Sequence, residues 1–259
     1  MKVIPEDRKF DFVEGEILHF DKPLHWTSFR LVKVLRGHIH RKLGVKNFKV
    51  GHAGTLDPLA TGVMTVCTGR ATKLIPMLQE SDKEYVATLR LGATTPSFDM
   101  ETEVDAEFPV SHITREMAEK ALASFVGEID QVPPLFSAVK VDGKRAYRLA
   151  RKGRDVELKA KKVSIAEIEL LEFSQTEMTV RVVCSKGTYI RSLARDIGAA
   201  LGSGGYLTAL RRTRVGDVRV EMCYDVSQIE EIVSRAVLPD DDEAAAGRTG
   251  HAASGGDCS

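Results

Sequence analysis

One carboxylate stands in a setting that permits close approach of other groups: Asp57, within GHAGTLDPLATG from Gly51 to Gly62. Gly51, Gly54 and Gly62 tolerate positive φ and let another backbone come near. Pro58 biases Asp57 toward an extended conformation. The acid is therefore expected at a sharp bend between this loop and an apolar strand from Val63 to Thr68. Two readings fit such a carboxylate. It can bond its own backbone in an Asx-type turn, or it can act as nucleophile or base. A phosphate-cradling P-loop is excluded, because the stretch has no GK[ST] ending and no strand–loop–helix order.

Such an acid needs elements that position it and a surface that brings its substrate. The chain has 259 residues with 37 Lys and Arg against 37 Asp and Glu, so bulk charge points to no polyanion. The distribution is less even. Lys140 to Lys162 carries ten Lys and Arg against Asp142, Asp155 and Glu157, and Arg181 to Arg214 carries seven against Asp196 alone. A third basic group runs from Arg36 to Lys49. Three such segments in one neutral chain suit a phosphate-binding surface. The four cysteines form no CxxC pair, which argues against a zinc site or disulfide framework and fits a reducing cytoplasm. No apolar run reaches the length of a membrane span, and the N-terminus has no signal-like apolar region.

Strands alternate with helices without a strict βαβ rhythm, so the pattern predicts an α+β or mixed α/β fold. A strand is expected over Gly15–Phe20, followed by a turn at Asp21-Lys22-Pro23. Ser28 is read as the cap of a helix to Leu43 with Phe29, Val32, Leu35 and Ile39 on its buried face. Further strands are expected over Tyr85–Leu91, Val163–Phe173 with a bulge near Ala166, and Met178–Cys184. Helices are expected over Thr114–Val126 and from Ile190 to Leu201, with Arg191 opposite the apolar face of the latter. A hairpin over Val139–Gly143 and a short helix over Ala146–Lys152 are also expected. The segment Pro239–Ser259 has the composition of a disordered tail.

The loop around Asp57 and the preceding Asp21-Lys22-Pro23 resemble the signature of the TruB family of tRNA pseudouridine synthases. Four more blocks share the resemblance: SDKEYVATLRLG (Ser81–Gly92), QVPPLFSAVKVDGKRAYRLARKG (Gln131–Gly153), CSKGTYIRSLARDIG (Cys184–Gly198) and LTALRRTRVG (Leu207–Gly216). The blocks occur in order and extend over about Gly15 to Val220.

The resemblance implies a pseudouridine synthase fold: a mixed, mostly antiparallel sheet with packed helices and a central RNA-binding cleft. It implies isomerisation of uridine 55 in the TΨC loop of tRNA, without cofactor or metal, on a nucleotide flipped out of its stack. Within it, Asp57 is the catalytic carboxylate, Tyr85 lies against the target base, and Arg191 pairs with Asp57 and holds it ionised. His52 contacts RNA near the flipped nucleotide, Lys22 and Tyr189 lie near the pocket, and Leu210 walls the base. Lys144, Arg145, Arg148 and Arg151 are expected to grip RNA in a mobile insertion over 130–155. The expected organisation is an N-terminal extension (1–14), a catalytic domain (15–225) and a short C-terminal segment with tail (226–259). Residues 221–259 are too few for the PUA-type RNA-binding domain of many family members, so RNA grip is expected from the catalytic domain. A cytoplasmic monomer acting on tRNA, with no membrane or protein partner, completes the expectation. Two rivals remain: a guide-RNA-dependent synthase acting on ribosomal RNA, and a non-catalytic RNA chaperone.

Overall fold

A computed structural model describes residues 2–45, 48–137, 140–141, 144–145 and 158–238, the four at 140–145 by backbone only. The principal sheet has the strand order β14 (Tyr224–Asp225), β1 (Ile17–Lys22), β3 (Ala60–Thr68), β12 (Gly205–Val215), β4 (Lys83–Leu91), β11 (Glu177–Cys184), β10 (Lys161–Phe173) and β7 (Gly127–Gln131). β2 (Val50–His52) joins β3, and β13 (Val218–Arg219) joins β12. Only β1–β14 and β3–β12 pair in parallel, so the sheet is mixed and mostly antiparallel. Two small ribbons stand apart: β5 (Ala93–Thr94) with β6 (Ala106–Glu107), and β8 (Lys140–Val141) with β9 (Lys144–Arg145).

One face of this sheet is covered from two sides. The helix α1 (Ser28–Leu43) buries Leu31, Val32, Leu35 and Ile39 over Leu18, Phe20, Met64 and Val66. The short helix α2 (Ile75–Leu78) follows β3. Farther along, α3 (Arg115–Ala123) and α4 (Ile190–Ala200) pack over Ala87, Leu89, Leu91, Val180 and Val182. A last helix, α5 (Ile229–Ser234), joins the first cluster through Ile229, Ile232 and Val233. No helix among the described residues is long and apolar enough to cross a membrane.

Several local expectations hold and several shift. β10 has a bulge between Ile165 and Glu167, at the predicted phase slip, and a second irregularity between Leu170 and Glu172. The cap of α1 is Thr27, whose hydroxyl accepts from Arg30 N, and not Ser28. Ser28 occupies a buried position and is bonded to the loop that carries Asp57. That choice of phase turns Phe29 outward to 62% exposure, against the sequence reading that buried it. The main omission is β12, a central strand. Bulges between Leu207 and Ala209 and between Arg212 and Arg214 break its alternation, so a basic, irregular stretch hides a strand. The predicted hairpin near 139–143 corresponds to the β8–β9 ribbon, while the helix predicted over 146–152 lies outside the described residues.

Candidate active site

Strand register assembles the floor of the site. Lys22 on β1 faces Gly62 on β3, Gly62 faces Arg212 on β12, and Arg212 faces Tyr85 on β4. Side chains in register across neighbouring strands share a face. These four positions, far apart in sequence, therefore form one row on the face that α1 and α4 flank. Tyr85 and Arg212 of this row line a cleft of about 480 Å³, together with Asp57, Tyr189, Arg191 and Leu210, among others.

Asp57 enters the cleft from the loop between β2 and β3. Gly54 and Gly62 take φ of +113° and +110°, as expected of glycines in a bent loop, whereas Gly51 is not at positive φ and sits in β2. The Asp57 carbonyl accepts from Ala60 N at 3.1 Å, closing the bend that starts β3. Among the described residues the carboxylate makes no Asx-type bond to its own backbone. It meets Arg191 instead, with Nε 2.9 Å from Oδ2. Arg191 is 5% exposed although its position lies opposite the apolar face of α4. It is buried because its guanidinium has further acceptors: Ser97 O at 3.2 Å, Phe136 O at 2.9 Å, and the Asp99 carboxylate at 3.7 Å. The loop around Phe98, itself at φ 62°, folds over α4 to supply two of them.

The electrostatics of this pair are opposed. Asp57 is 37% exposed, but through a cleft mouth walled by protein. Desolvation therefore pushes its carboxyl above the ordinary value, and the Asp99 and Glu101 charges add to that, while Arg191 works against it. Tyr85 is buried, and burial raises its phenol further from ionisation, with Arg212 opposing. It is thus a neutral hydroxyl at physiological pH.

Arg212 was not singled out from sequence. It is 2% exposed, and among the described residues no carboxylate pairs with it. Its guanidinium donates to Val63 O (2.7 Å), Thr55 O (3.5 Å) and Gly54 O (3.4 Å). It thereby ties β3 to the loop residues just before Asp57, and its charge acts on Tyr85, His52 and Lys22. A buried guanidinium is costly unless well bonded, so such a residue marks a site that needs fixed positive charge. The available signal was its place in the LTALRR block, unreadable without knowing that the block is a central strand.

The remaining candidates divide. Tyr189, which precedes α4, and Leu210, on β12, both line the cleft. Lys22 is fully buried and outside the cleft lining, with Nζ donating to Pro23 O (2.9 Å) and Trp26 O (2.7 Å); burial pushes its amine down to about 8. His52 lies on β2 outside the cleft lining, with Nδ1 buried and unbonded; burial lowers its pKa and favours the neutral ring. Lys144 and Arg145 are described by backbone alone, in β9, and Arg148 and Arg151 lie outside the described residues. Lys161, Lys162 and Lys186 line the cleft from its far side. Among the described residues no cluster of His, Cys, Asp and Glu could hold a metal ion.

The mixed sheet, the helices flanking one face, and a cleft carboxylate held by a buried arginine define a pseudouridine synthase. Solved structures share the architecture. A chain in a Cbf5-Nop10-Gar1 complex is 30% identical, with a TM-score of 0.63 over 85% of this chain and 54% of that one. A chain of an H/ACA RNP bound to a substrate RNA containing 2'-deoxyuridine is 26% identical, with a TM-score of 0.60 over 89% of this chain and 59% of that one. The present chain thus spans little more than half of those longer chains.

The chain belongs to the TruB family. Residues 40–190 match the TruB family pseudouridylate synthase N-terminal domain, and residues 191–244 match the tRNA pseudouridylate synthase B C-terminal domain. The boundary falls inside α4, and β12 of the second match lies between β3 and β4 of the first, so the two share one sheet. The tRNA pseudouridine synthase B of Phocaeicola vulgatus is 67% identical over 221 residues, 85% of this chain and 94% of that protein. That of Parabacteroides distasonis is 60% identical over 233 residues, 90% of this chain and 99% of that protein.

Proposed function

We propose that this protein isomerises uridine to pseudouridine at position 55 in the TΨC loop of tRNA, with Asp57 as the catalytic carboxylate on a flipped-out uridine. The observation that carries the reading is the Asp57–Arg191 contact of 2.9 Å inside a cleft of about 480 Å³, a volume suited to a small-molecule-sized group such as an extruded nucleoside. The relatives' shared name, tRNA pseudouridine synthase B, supports the choice of RNA.

The reaction breaks the N1–C1′ bond of the nucleoside and forms C5–C1′. The C5 proton departs and N1 regains one, so atoms and electrons balance within the nucleotide. A carboxylate serves as nucleophile on sugar or base, or as a base on the sugar. In each case Arg191 keeps Asp57 ionised and aimed. Tyr85 supplies a neutral hydroxyl against the base, while Leu210 and Tyr189 wall it. Lys22 and His52 support the floor and the loop rather than touch the base. Segments 36–49 and 140–162, including Lys144, Arg145, Arg148 and Arg151, grip phosphates around the extruded nucleotide. In this reading the protein works in the cytoplasm as a monomer, without a guide RNA or protein partner.

The test uses purified full-length protein and an unmodified tRNA transcript, with pseudouridine mapped by sequencing. Modification at uridine 55 is expected, abolished by Asp57→Asn while tRNA binding persists. An active Asp57→Asn enzyme would refute the assignment. A wild-type protein that binds and refolds tRNA but forms no pseudouridine would favour the chaperone alternative.

A further inference from the structure

Helix α1 carries charge that its own stability does not explain. Its sequence, SFRLVKVLRGHIHRKL, contains no acidic residue. Arg41 and Lys42 in the last turn complement the helix dipole, which is an ordinary arrangement. Arg30 does the reverse, standing in the first turn where a cation is unfavourable. Lys33 and Arg36 follow at three-residue intervals, and like charges so spaced repel along a helix. All three are exposed, and among the described residues none forms an ion pair. Lys162 and Lys186 at the cleft have Glu128 and Glu80 beside them.

The position of α1 is equally specific. Its first turn and the turn that precedes it are fastened to the two neighbours of Asp57. Ser28 Oγ donates to Leu56 O at 2.9 Å and accepts from Leu56 N at 2.8 Å, and His25 N donates to Pro58 O at 2.8 Å. His25 takes φ 63°, a left-handed conformation rare for a non-glycine residue, at the turn that makes this junction. Beside it lie Trp26, with the Arg30 guanidinium 4.4 Å above its ring, and Phe29, 62% exposed. α1 covers the cleft side of the sheet, because Leu18 and Phe20 beneath it share a face with Lys22 and the catalytic row. Its outward strip thus faces solvent on the same side of the sheet as the cleft, next to the loop that carries Asp57.

We propose that the outward face of α1 is a track for single-stranded substrate RNA, with Arg30, Lys33 and Arg36 on successive phosphates and Phe29 as a stacking surface for an unpaired base. This rests on the proposed RNA-modifying function and locates where the strand next to the target nucleotide runs. Cations combined with an exposed aromatic are a means by which proteins hold unpaired strands. From Arg30 to Arg36 the helix rises about 9 Å, enough for neighbouring phosphates.

The experiment measures affinity of the full-length protein for an unmodified tRNA transcript by filter binding across a salt series. The variants are the triple Arg30→Gln/Lys33→Gln/Arg36→Gln, each single substitution, and Phe29→Ala. The triple variant is expected to bind about 10-fold or more weakly at low salt, with the slope of log affinity against log salt reduced by about 2. kcat/KM should fall by a similar factor. Phe29→Ala should weaken binding several-fold with an unchanged slope. Arg90→Gln, on the opposite sheet face, serves as control and should change neither quantity. A wild-type slope in the triple variant overturns the phosphate track, and wild-type affinity in Phe29→Ala overturns the stacking surface. Because these side chains are exposed, a folding defect is not expected; should the triple variant melt early, the single variants still read the slope. Failure here with normal pseudouridine formation by the wild type leaves the proposed function standing.

Discussion

Gly62 and Arg212 are register partners across the parallel β3–β12 pair, and a Cβ on Gly62 would stand 2.1 Å from the Arg212 carbonyl oxygen. The absence of a side chain there lets β12 close on β3 and lets the Arg212 guanidinium reach Val63 O. Gly62 also holds φ +110°. Gly62→Ala combines backbone strain with a collision against main-chain atoms. A loss of about 3 kcal/mol or more is expected, read from urea unfolding. A variant as stable as wild type would mean that β12 shifts freely against β3.

Arg212 itself should separate positioning from folding. A lysine keeps the charge but cannot span Val63, Thr55 and Gly54 with one ammonium group. Arg212→Lys is expected to lower kcat by about 100-fold through displacement of the Asp57 loop, with little change in KM. A larger effect on KM than on kcat would assign it to substrate binding instead.

The Asp57–Arg191 pair predicts a pH profile. Burial raises the Asp57 carboxyl above its ordinary value, so activity that requires the carboxylate should fall as pH drops through that raised value. Arg191 is the group opposing the rise. Arg191→Gln should therefore move the acid limb of kcat/KM to higher pH, besides lowering the maximum by about 100-fold or more. An acid limb that stays in place would mean that Arg191 does not govern Asp57 ionisation.

Lys22 predicts a pH-dependent stability. Its amine is pushed from 10.5 down to about 8 by burial. Between these values the unfolded chain holds a proton that the folded chain has released, so stability from this group rises with pH over that window. The full range amounts to about 3 kcal/mol. Lys22→Met should flatten the rise between pH 8 and pH 10, measured by urea unfolding at both. A slope equal to wild type would place the amine in contact with solvent.

The sequence by itself determined which residue types stand at which spacing. Gly54, Asp57 and Pro58 are local instructions: the glycine supplies a bend, the proline an extended approach, and their effects act over a few residues. The amphipathic periods of α4 and β11 and the bulge of β10 were legible for the same reason. The blocks around Tyr85, Arg191 and Leu210 were legible as a set through family resemblance. What local chemistry left open was whether the Asp57 carboxylate bonds its own backbone or serves a distant partner.

Only the tertiary structure decided that question, by folding the Phe98 loop over α4 and burying Arg191 at 2.9 Å from Asp57. It also decided the role of Arg212, because the row Lys22–Gly62–Arg212–Tyr85 is a property of strand register across four separate segments. It turned Phe29 outward by committing Ser28 to the Leu56 clamp. The physical reason is common to all three. A side chain's partner is selected by long-range pairing and burial, which no window of sequence contains, whereas a bend or a helical period is complete within its own few residues.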